Sequence, residues 1–173
     1  VTTSAFAVTV VSWGGAYTES QKLGYGDPTA KKLGIPVNWV DYTGGLSEIK
    51  AQKEAGKITW DIMDVYATDT IIGCDEGIFH EFDFDKDFLP APDGTPASED
   101  FGDLIVSECF IPQIVYSTTF GYRKDLVSKP MTSVCDVFDL KTFPGKRSLQ
   151  KRPIDNMEWA LMFEVVDPIT VAD

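Results

Sequence analysis

The fold is decided by the stretch Val8-Thr-Val-Val-Ser-Trp-Gly-Gly-Ala-Tyr-Thr-Glu-Ser20, in which a β-branched run breaks at two glycines and restarts with helix-forming residues. The valines predict a buried strand, and the glycine pair permits a sharp exit because glycine accepts backbone angles that other residues avoid. A strand that leads directly into a helix is the first half of a βαβ unit. Small ligands bind where such strands end, so Trp13 and Tyr17 are candidate binding residues. Packing in the core is the alternative for both aromatic side chains.

The same strand-to-helix pattern occurs twice more along the chain. Residues 35–41 and 58–65 are predicted as strands, and residues 46–55 and 67–74 as the helices that follow them. Alternating strands and helices are typical of a parallel sheet with right-handed crossovers. The sequence therefore predicts an α/β fold with helices on the faces of the sheet.

The exit of the third strand carries the polar part of the candidate site. Asp64, Tyr66 and Asp69 belong to the segment 64–69, in which this strand ends and its helix begins. In a parallel sheet the carboxyl ends of the strands meet at one edge, so these residues should lie beside Trp13. For Asp69 the alternative is a structural role, because the helix dipole favours a carboxylate in the first turn.

The remaining segments have less regular patterns. Glycines and a proline interrupt residues 16–33, which predicts a helix, a loop and a short second helical turn. Residues 80–103 are predicted as an acidic loop with aromatic anchors, and residues 110–122 as a strand. Short helices are predicted near residues 134–140 and 156–163.

Composition excludes several classes of partner. The chain has 173 residues, is 43% hydrophobic and carries 15 basic against 27 acidic residues, a formal net charge of -12. A phosphate backbone or an anionic bilayer would repel it, so no nucleic acid and no membrane surface is expected as a partner. No segment approaches the roughly 18 apolar residues that a membrane-spanning helix needs.

The N-terminus and the cysteines bear on the cellular compartment. Ser4-Ala-Phe-Ala7 fits the small-x-small pattern that signal peptidase reads, which makes residues 1–7 the predicted remnant of a secretory signal; a chance match is the alternative. Three cysteines suit an exported protein with one disulfide and one free thiol, whereas three reduced thiols are the other interpretation.

Signals for enzymatic chemistry are weak. His80 is the only histidine, so a Ser-His-Asp or Cys-His mechanism would have to use it. Dinucleotide and phosphate-binding loops are missing, as are CxxC pairs and histidine clusters, so neither a cofactor nor a metal is expected. A small α/β enzyme that uses carboxylates remains the alternative function.

Six collinear segments resemble the solute-binding proteins of ABC importers, and specifically the spermidine/putrescine-binding group with the type 2 periplasmic-binding fold. They are Val11-Ser-Trp-Gly-Gly-Ala-Tyr-Thr-Glu-Ser-Gln21, Asp61-Ile-Met-Asp-Val65, Gly73-Cys-Asp-Glu-Gly77, Phe110-Ile-Pro-Gln-Ile-Val-Tyr-Ser-Thr119, Phe143-Pro-Gly-Lys-Arg147 and Glu158-Trp-Ala-Leu161. The resemblance implies a first α/β lobe with a mixed, mostly parallel sheet at residues 8–111 and a hinge strand at residues 112–122. An incomplete second lobe would occupy residues 123–173, so the chain is expected to be a fragment or a truncated product.

The same resemblance implies a function. It is that of a periplasmic receptor, not an enzyme, which binds a small amine-bearing, polyamine-like solute between its lobes and delivers it to an ABC permease in the inner membrane. The full-length protein is expected to be a monomer. The implied ligand-binding residues are Trp13, Gly14, Tyr17, Asp64, Tyr66, Asp69, Ser117, Thr118 and Asp155, and the implied disulfide joins Cys74 to Cys109 and leaves Cys135 free.

One departure from the family pattern affects the ligand. Polyamine binders have acidic residues where this chain has Lys151 and Arg152 ahead of Asp155. A guanidinium in the cleft would suit a carboxylate, which favours a zwitterion or a modified amine over a plain polyamine. Solvent exposure of both basic residues is the alternative. A receptor of the same fold for an anion, a zwitterion or a metal therefore also stays open.

Overall fold

The structure is a computed structural model that describes residues 7–164. The chain divides into two compact units, Val1–Gln113 and Ile114–Asp173, and each is described by itself. The predicted signal remnant at residues 1–7 lies outside the described residues except for Ala7.

The first unit is built on a parallel sheet of three strands. They are β1 (Val8–Ser12), β2 (Val37–Asp41) and β3 (Ile62–Met63), in the order β2-β1-β3. Val10 of β1 is in register with Trp39 on one side and with Ile62 on the other. The valine-rich first strand is the central one and has a neighbouring strand on each edge. Its residues Val11 and Ser12 are fully buried. The predicted parallel α/β sheet is confirmed.

The third strand is shorter than its composition predicts. At its start the Asp61 carboxylate accepts a hydrogen bond from the Thr9 amide (2.7 Å) while the Asp61 amide donates to the Thr9 carbonyl (3.0 Å). Two residues earlier, Oε1 of Gln52 accepts hydrogen bonds from the Thr59 amide (2.8 Å) and hydroxyl (3.0 Å). Residues 58–61 are irregular and not strand.

Helices cover the sheet and continue into the acidic segment. Those of the first unit are α1 (Gly15–Gln21), α2 (Asp27–Leu33), α3 (Ser47–Glu54), α4 (Ala67–Asp75), α5 (Phe84–Asp87) and α6 (Ala97–Phe101), with a π-helical turn at Lys22–Gly26 and a 3₁₀ turn at Gly102–Leu104. The second unit contains a 3₁₀ turn at Lys124–Leu126 and the helices α7 (Cys135–Phe138) and α8 (Asn156–Phe163).

The loop predicted within residues 16–33 is instead the π-helical turn Lys22–Gly26, which joins α1 to α2 without a break. Trp39 explains why position 26 in this turn is a glycine, because a Cβ on residue 26 would lie 2.5 Å from Cζ2 of Trp39. Pro28 is the second residue of α2, which directly follows the π-helical turn.

The hydrophobic core of the first unit is formed by residues of the sheet, of α3 and its N-cap, and of the segment before β3. Its buried members are Val11, Leu46, Ile49 and Trp60. A second aromatic cluster organises the acidic segment 80–103, where Phe84 packs against Phe88 and Phe101 with ring centroids 5.4 and 5.9 Å apart. The segment predicted as a solvated loop is thus anchored by its phenylalanines and contains two short helices.

The Cys74–Cys109 disulfide joins the end of α4 to the far side of the acidic segment, and Cys135 is free. Both parts of the disulfide prediction are confirmed.

Residues 110–122 do not form the predicted strand in the structure. A β-branched segment becomes a strand only when a neighbouring strand supplies partners for its amides and carbonyls, and β1, β2 and β3 pair only with one another. Ile114, Val115 and Tyr116 are exposed as a result. The helix predicted at residues 156–163 is confirmed, and the one near residues 134–140 is reduced to the four residues of α7.

Candidate functional site

Aromatic side chains from all three strand ends meet at the carboxyl edge of the sheet. Trp13 follows β1, Tyr42 follows β2 and Tyr66 comes three residues after β3. The centroid of the Trp13 ring lies 4.9 Å from that of Tyr42 and 4.6 Å from that of Tyr66. The expected proximity of the first and third strand exits is therefore observed, and we name these three residues the aromatic triad. Sequence reasoning missed Tyr42, although it follows a predicted strand and precedes the Gly44-Gly45 turn.

Gly14 shapes the corner after Trp13. Its backbone has φ 79° and ψ −178°, a conformation essentially restricted to glycine. Its amide donates to Oγ1 of Thr18 (2.7 Å), and a Cβ at this position would lie 2.9 Å from Oδ2 of Asp41. The glycine is thus required by backbone conformation and by the close approach of a carboxylate.

Asp64 is fixed at the base of the aromatic triad by contacts from both neighbouring strand ends. Its amide donates to the Val11 carbonyl (2.9 Å), and its carbonyl accepts a hydrogen bond from the Tyr42 hydroxyl. The Asp64 carboxylate is half-buried and accepts a hydrogen bond from Nε2 of Gln21 (2.9 Å). The backbone of Asp64 is therefore bound to a residue of the aromatic triad, and its carboxylate to Gln21 of α1.

Tyr17 belongs to the same group of residues. Burial raises the pKa of the Tyr17 hydroxyl, and the nearby Asp64 carboxylate raises it further because a phenolate would face a second negative charge. Tyr17 is neutral at physiological pH and keeps its proton for donation. Burial also raises the pKa of Tyr25.

Asp69 lies half-buried in the first turn of α4. At this position the helix dipole stabilises a carboxylate. The position of Asp69 therefore agrees with a structural role, which is the alternative to ligand binding for this residue. Thr70, the next residue, is fully buried and donates from Oγ1 to the Tyr66 carbonyl (3.1 Å). The start of α4 thereby holds the backbone that carries Tyr66.

The other predicted site residues belong to the second unit. Ser117 and Thr118 are exposed in an irregular segment. Asp155 is half-buried, has φ 69° and directly precedes α8. Lys151 is exposed and Arg152 half-buried, and the segment is held by Asn156, whose Nδ2 donates to the Gln150 and Arg152 carbonyls (2.6 Å each). Ligand contact by these residues stays a prediction.

A cavity of about 300 Å³ opens at the end of β2, next to the aromatic triad through their shared Tyr42. Its other lining residues are Asp41, Thr43, Gly44, Gly45, Ser47 and Glu48. The cavity is polar and carries two carboxylates.

Within residues 7–164, the structure contains no group of three or more His, Cys, Asp or Glu side chains placed to hold a metal ion. Nor does any helix in that part of the chain have the length and apolar character needed to cross a membrane.

Residues 25–171 match the model of a protein family described as bacterial extracellular solute-binding protein. The chain belongs to this family. The match covers most of the chain and includes both units, which confirms the resemblance to solute-binding proteins of ABC importers at the level of the family. Members of this family are solute-binding proteins and not enzymes, so the alternative of a small carboxylate enzyme was wrong.

Individual relatives are similar over nearly the whole chain. The γ-aminobutyric acid-binding protein of Pseudomonas aeruginosa is 32% identical over 160 residues, which are 92% of this chain and 43% of that protein. The crystal structure of the periplasmic binding protein MotA from A. tumefaciens B6, in complex with glucopine, superposes with a TM-score of 0.80 at 28% identity and covers 96% of this chain. An ABC transporter substrate-binding protein from Bradyrhizobium japonicum has a TM-score of 0.62, also at 28% identity, over 92% of this chain.

This chain spans about half the length of these relatives, with 49% of MotA and 48% of the Bradyrhizobium protein covered. Their fold confirms the predicted periplasmic-binding class, here as a partial lobe with a parallel sheet flanked by helices. The family's extracellular description agrees with the predicted export.

Proposed function

We propose that this chain is part of an ABC-importer receptor that binds a small amine-bearing solute between two lobes. Residues 8–111 are the first lobe, residues 112–122 the hinge and residues 123–173 the start of the second lobe. The observation that supports this proposal most directly is the aromatic triad of Trp13, Tyr42 and Tyr66, whose Tyr42 hydroxyl is bonded to the backbone carbonyl of Asp64.

This arrangement suits a cationic group attached to a short carbon chain. An ammonium near the face of an aromatic ring gains about 0.5–2 kcal/mol, depending on how far it is desolvated. A carboxylate adds a charge-assisted hydrogen bond, which is stronger than one between neutral groups. The neutral Tyr17 hydroxyl also lies beside Asp64. An anion alone would be repelled by Asp64.

The relatives favour a zwitterion within this amine class. A protein that binds γ-aminobutyric acid is 32% identical to this chain, and that ligand has an ammonium at one end and a carboxylate at the other. The ammonium would lie on the aromatic triad and Asp64, and the ligand carboxylate would be paired by Arg152 of the second lobe. A polyamine is the finer specificity that the sequence resemblance implies, and it requires Asp155 in place of Arg152 as the second charged contact.

Delivery to an inner-membrane permease, a periplasmic location and a monomeric state are part of the same proposal, and the family's description as extracellular solute-binding proteins supports the first two. Ligand binding would close the two lobes, and the permease would recognise the closed form. Asp69, Ser117 and Thr118 complete the proposed set of ligand contacts, and Gly14 contributes backbone at the corner.

The test is calorimetric titration of the protein expressed from its full reading frame. The ligands are γ-aminobutyric acid, glucopine, putrescine and spermidine, with butyrate as the analogue that lacks the amine. At least one amine should bind, and Trp13→Ala should weaken it about tenfold or more, which corresponds to about 1.4 kcal/mol.

Trp159→Ala is the matched control, because it removes the same half-buried side chain from α8 of the second unit. Its affinity for the amine should stay within about twofold of the original protein. If no amine binds, or if Trp13→Ala leaves the affinity unchanged, the proposed function is wrong while the family assignment stands.

A further inference from the structure

A buried glutamine lies directly beneath the candidate site. Gln21 is the last residue of α1, and only 4% of its side chain is exposed. Its amide contacts three segments that are far apart in sequence, through Ser12 at the end of β1, Asp64 after β3 and Gln113 at the end of the first unit. Buried polar side chains cost free energy unless they are hydrogen-bonded, and this one has partners on both of its polar atoms.

The orientation of this amide follows from Asp64, because a carboxylate only accepts hydrogen bonds whereas a hydroxyl can donate or accept. The fully buried Ser12 hydroxyl donates to Oε1 of Gln21 (2.5 Å), while the amide nitrogen faces Asp64. There, Nε2 donates to Oδ2 of Asp64 (2.9 Å) and lies 3.5 Å from Oε1 of Gln113. A primary amide nitrogen is only a donor, so the Asp64 carboxylate is the acceptor of this hydrogen bond.

The network continues from Gln113 to the helical segment at residues 22–26. Nε2 of Gln113 donates to the hydroxyl of Tyr25, which fixes the second glutamine amide in turn. Gln113 is the last residue of the first unit. The Asp64 carboxylate is therefore connected by hydrogen bonds to the point where the chain leaves this unit.

We propose that Gln21 is the positioning residue for Asp64: it holds one carboxylate oxygen by a hydrogen bond and so orients the other for the ammonium group of the ligand. This inference rests on the proposed function. Gln21 itself does not touch the ligand, and its effect on affinity passes entirely through Asp64. Ser12 supports it by donating a hydrogen bond to Oε1 of the glutamine.

The experiment measures amine affinity for the protein from its full reading frame and for Gln21→Ala, Asp64→Asn and the double variant. Losing a hydrogen bond to a charged group should weaken binding about tenfold in Gln21→Ala. In the Asp64→Asn background the same substitution should change affinity by less than about twofold, because the group through which Gln21 acts has lost its charge.

Gln52→Ala is the matched control. Gln52 is a half-buried glutamine of the same unit whose Oε1 is bonded to Thr59, in the turn that precedes β3. It should lose stability without losing amine affinity. A ligand-independent readout is the side-chain carboxyl carbon resonance of Asp64, which should move in Gln21→Ala and stay in place in Gln52→Ala.

The outcomes separate the two proposals. If Asp64→Asn binds amines as tightly as the original protein, the ligand contact in the proposed function fails, and the positioning role fails with it. If Asp64→Asn weakens binding while Gln21→Ala does not, only the positioning role is overturned. An equal loss from Gln21→Ala in both backgrounds, or an unchanged Asp64 resonance, would show that the glutamine only supports the fold.

Discussion

Replacing Gly14 by alanine tests whether the corner after β1 requires glycine. The backbone at this position, with φ 79° and ψ −178°, lies in a region where any other residue costs about 1–3 kcal/mol. The added Cβ would also lie 2.9 Å from Oδ2 of Asp41, but that atom ends an exposed side chain that can rotate away. Backbone strain is therefore the main cost.

Part of that cost is offset in the unfolded state. Alanine has less backbone freedom to lose on folding than glycine, which contributes about 0.4–1 kcal/mol in the opposite direction. The two ranges leave a net loss in the free energy of unfolding of about 0–2.6 kcal/mol, and their midpoints give an expected loss of about 1.3 kcal/mol. Urea unfolding measures it as a lower midpoint with an unchanged dependence on denaturant concentration.

Gly24→Ala is the control for this substitution. Gly24 lies in the π-helical turn, has no positive φ, and a Cβ there meets no atom within 4 Å. It should be neutral or slightly stabilising. Adding Asp41→Ala to Gly14→Ala should recover little stability, because the strain remains. If Gly14→Ala and Gly24→Ala unfold at the same urea concentration, the strain interpretation of the corner is refuted.

Two further predictions concern the disulfide and the buried tyrosine. Cys74→Ser with Cys109→Ser opens a loop with a sequence separation of 35 and should cost about 4 kcal/mol in the chain-entropy model, whereas Cys135→Ser should cost little. Urea unfolding compares the variants, and thiol titration of the denatured original protein should find one reactive thiol; three would contradict the bridge. Tyr17 has a pKa raised above 10.0 in the folded protein, so its contribution to stability is complete below pH 10 and is lost as the pH rises through the folded pKa. Tyr17→Phe should therefore reduce the alkaline loss of stability, and identical urea midpoints against pH for both proteins would count against the shift.

Much of the first unit could be predicted because its signals are local. The β-branched run at residues 8–12 and the glycines after it define a strand and its exit, and the observed strand Val8–Ser12 agrees. Helix α8 was predicted with its observed bounds, since Asn156–Phe163 is a continuous stretch of helix-compatible residues. The disulfide came from family resemblance and not from the residues themselves.

The errors arose where a partner decides the structure. Residues 110–122 have strand composition but no strand neighbour among the described residues, so they remain irregular. The start of the third strand was lost to the side chains of Gln52 and Asp61, which take up backbone groups that a strand would use. Local propensity does not contain such competition from distant residues.

The site shows the same division. Trp13, Asp64 and Tyr66 were predicted to lie together because parallel strands end at one edge, and the Trp13–Tyr66 contact of 4.6 Å agrees with this. Tyr42 and Gln21 were missed. Tyr42 gave only a weak signal, and Gln21 reads as one more polar residue of a surface helix until the structure places it between Ser12 and Asp64.

The sequence by itself determined the α/β class, the glycine corner and the strand exits that carry the candidate site, because these depend on backbone freedom and on hydrophobic periodicity over a few residues. Only the tertiary structure decided which side chains meet at that edge and how Asp64 is held. Hydrogen bonds between residues 12, 21, 64 and 113 depend on distances that exist only after the chain has folded, so no local pattern could encode them.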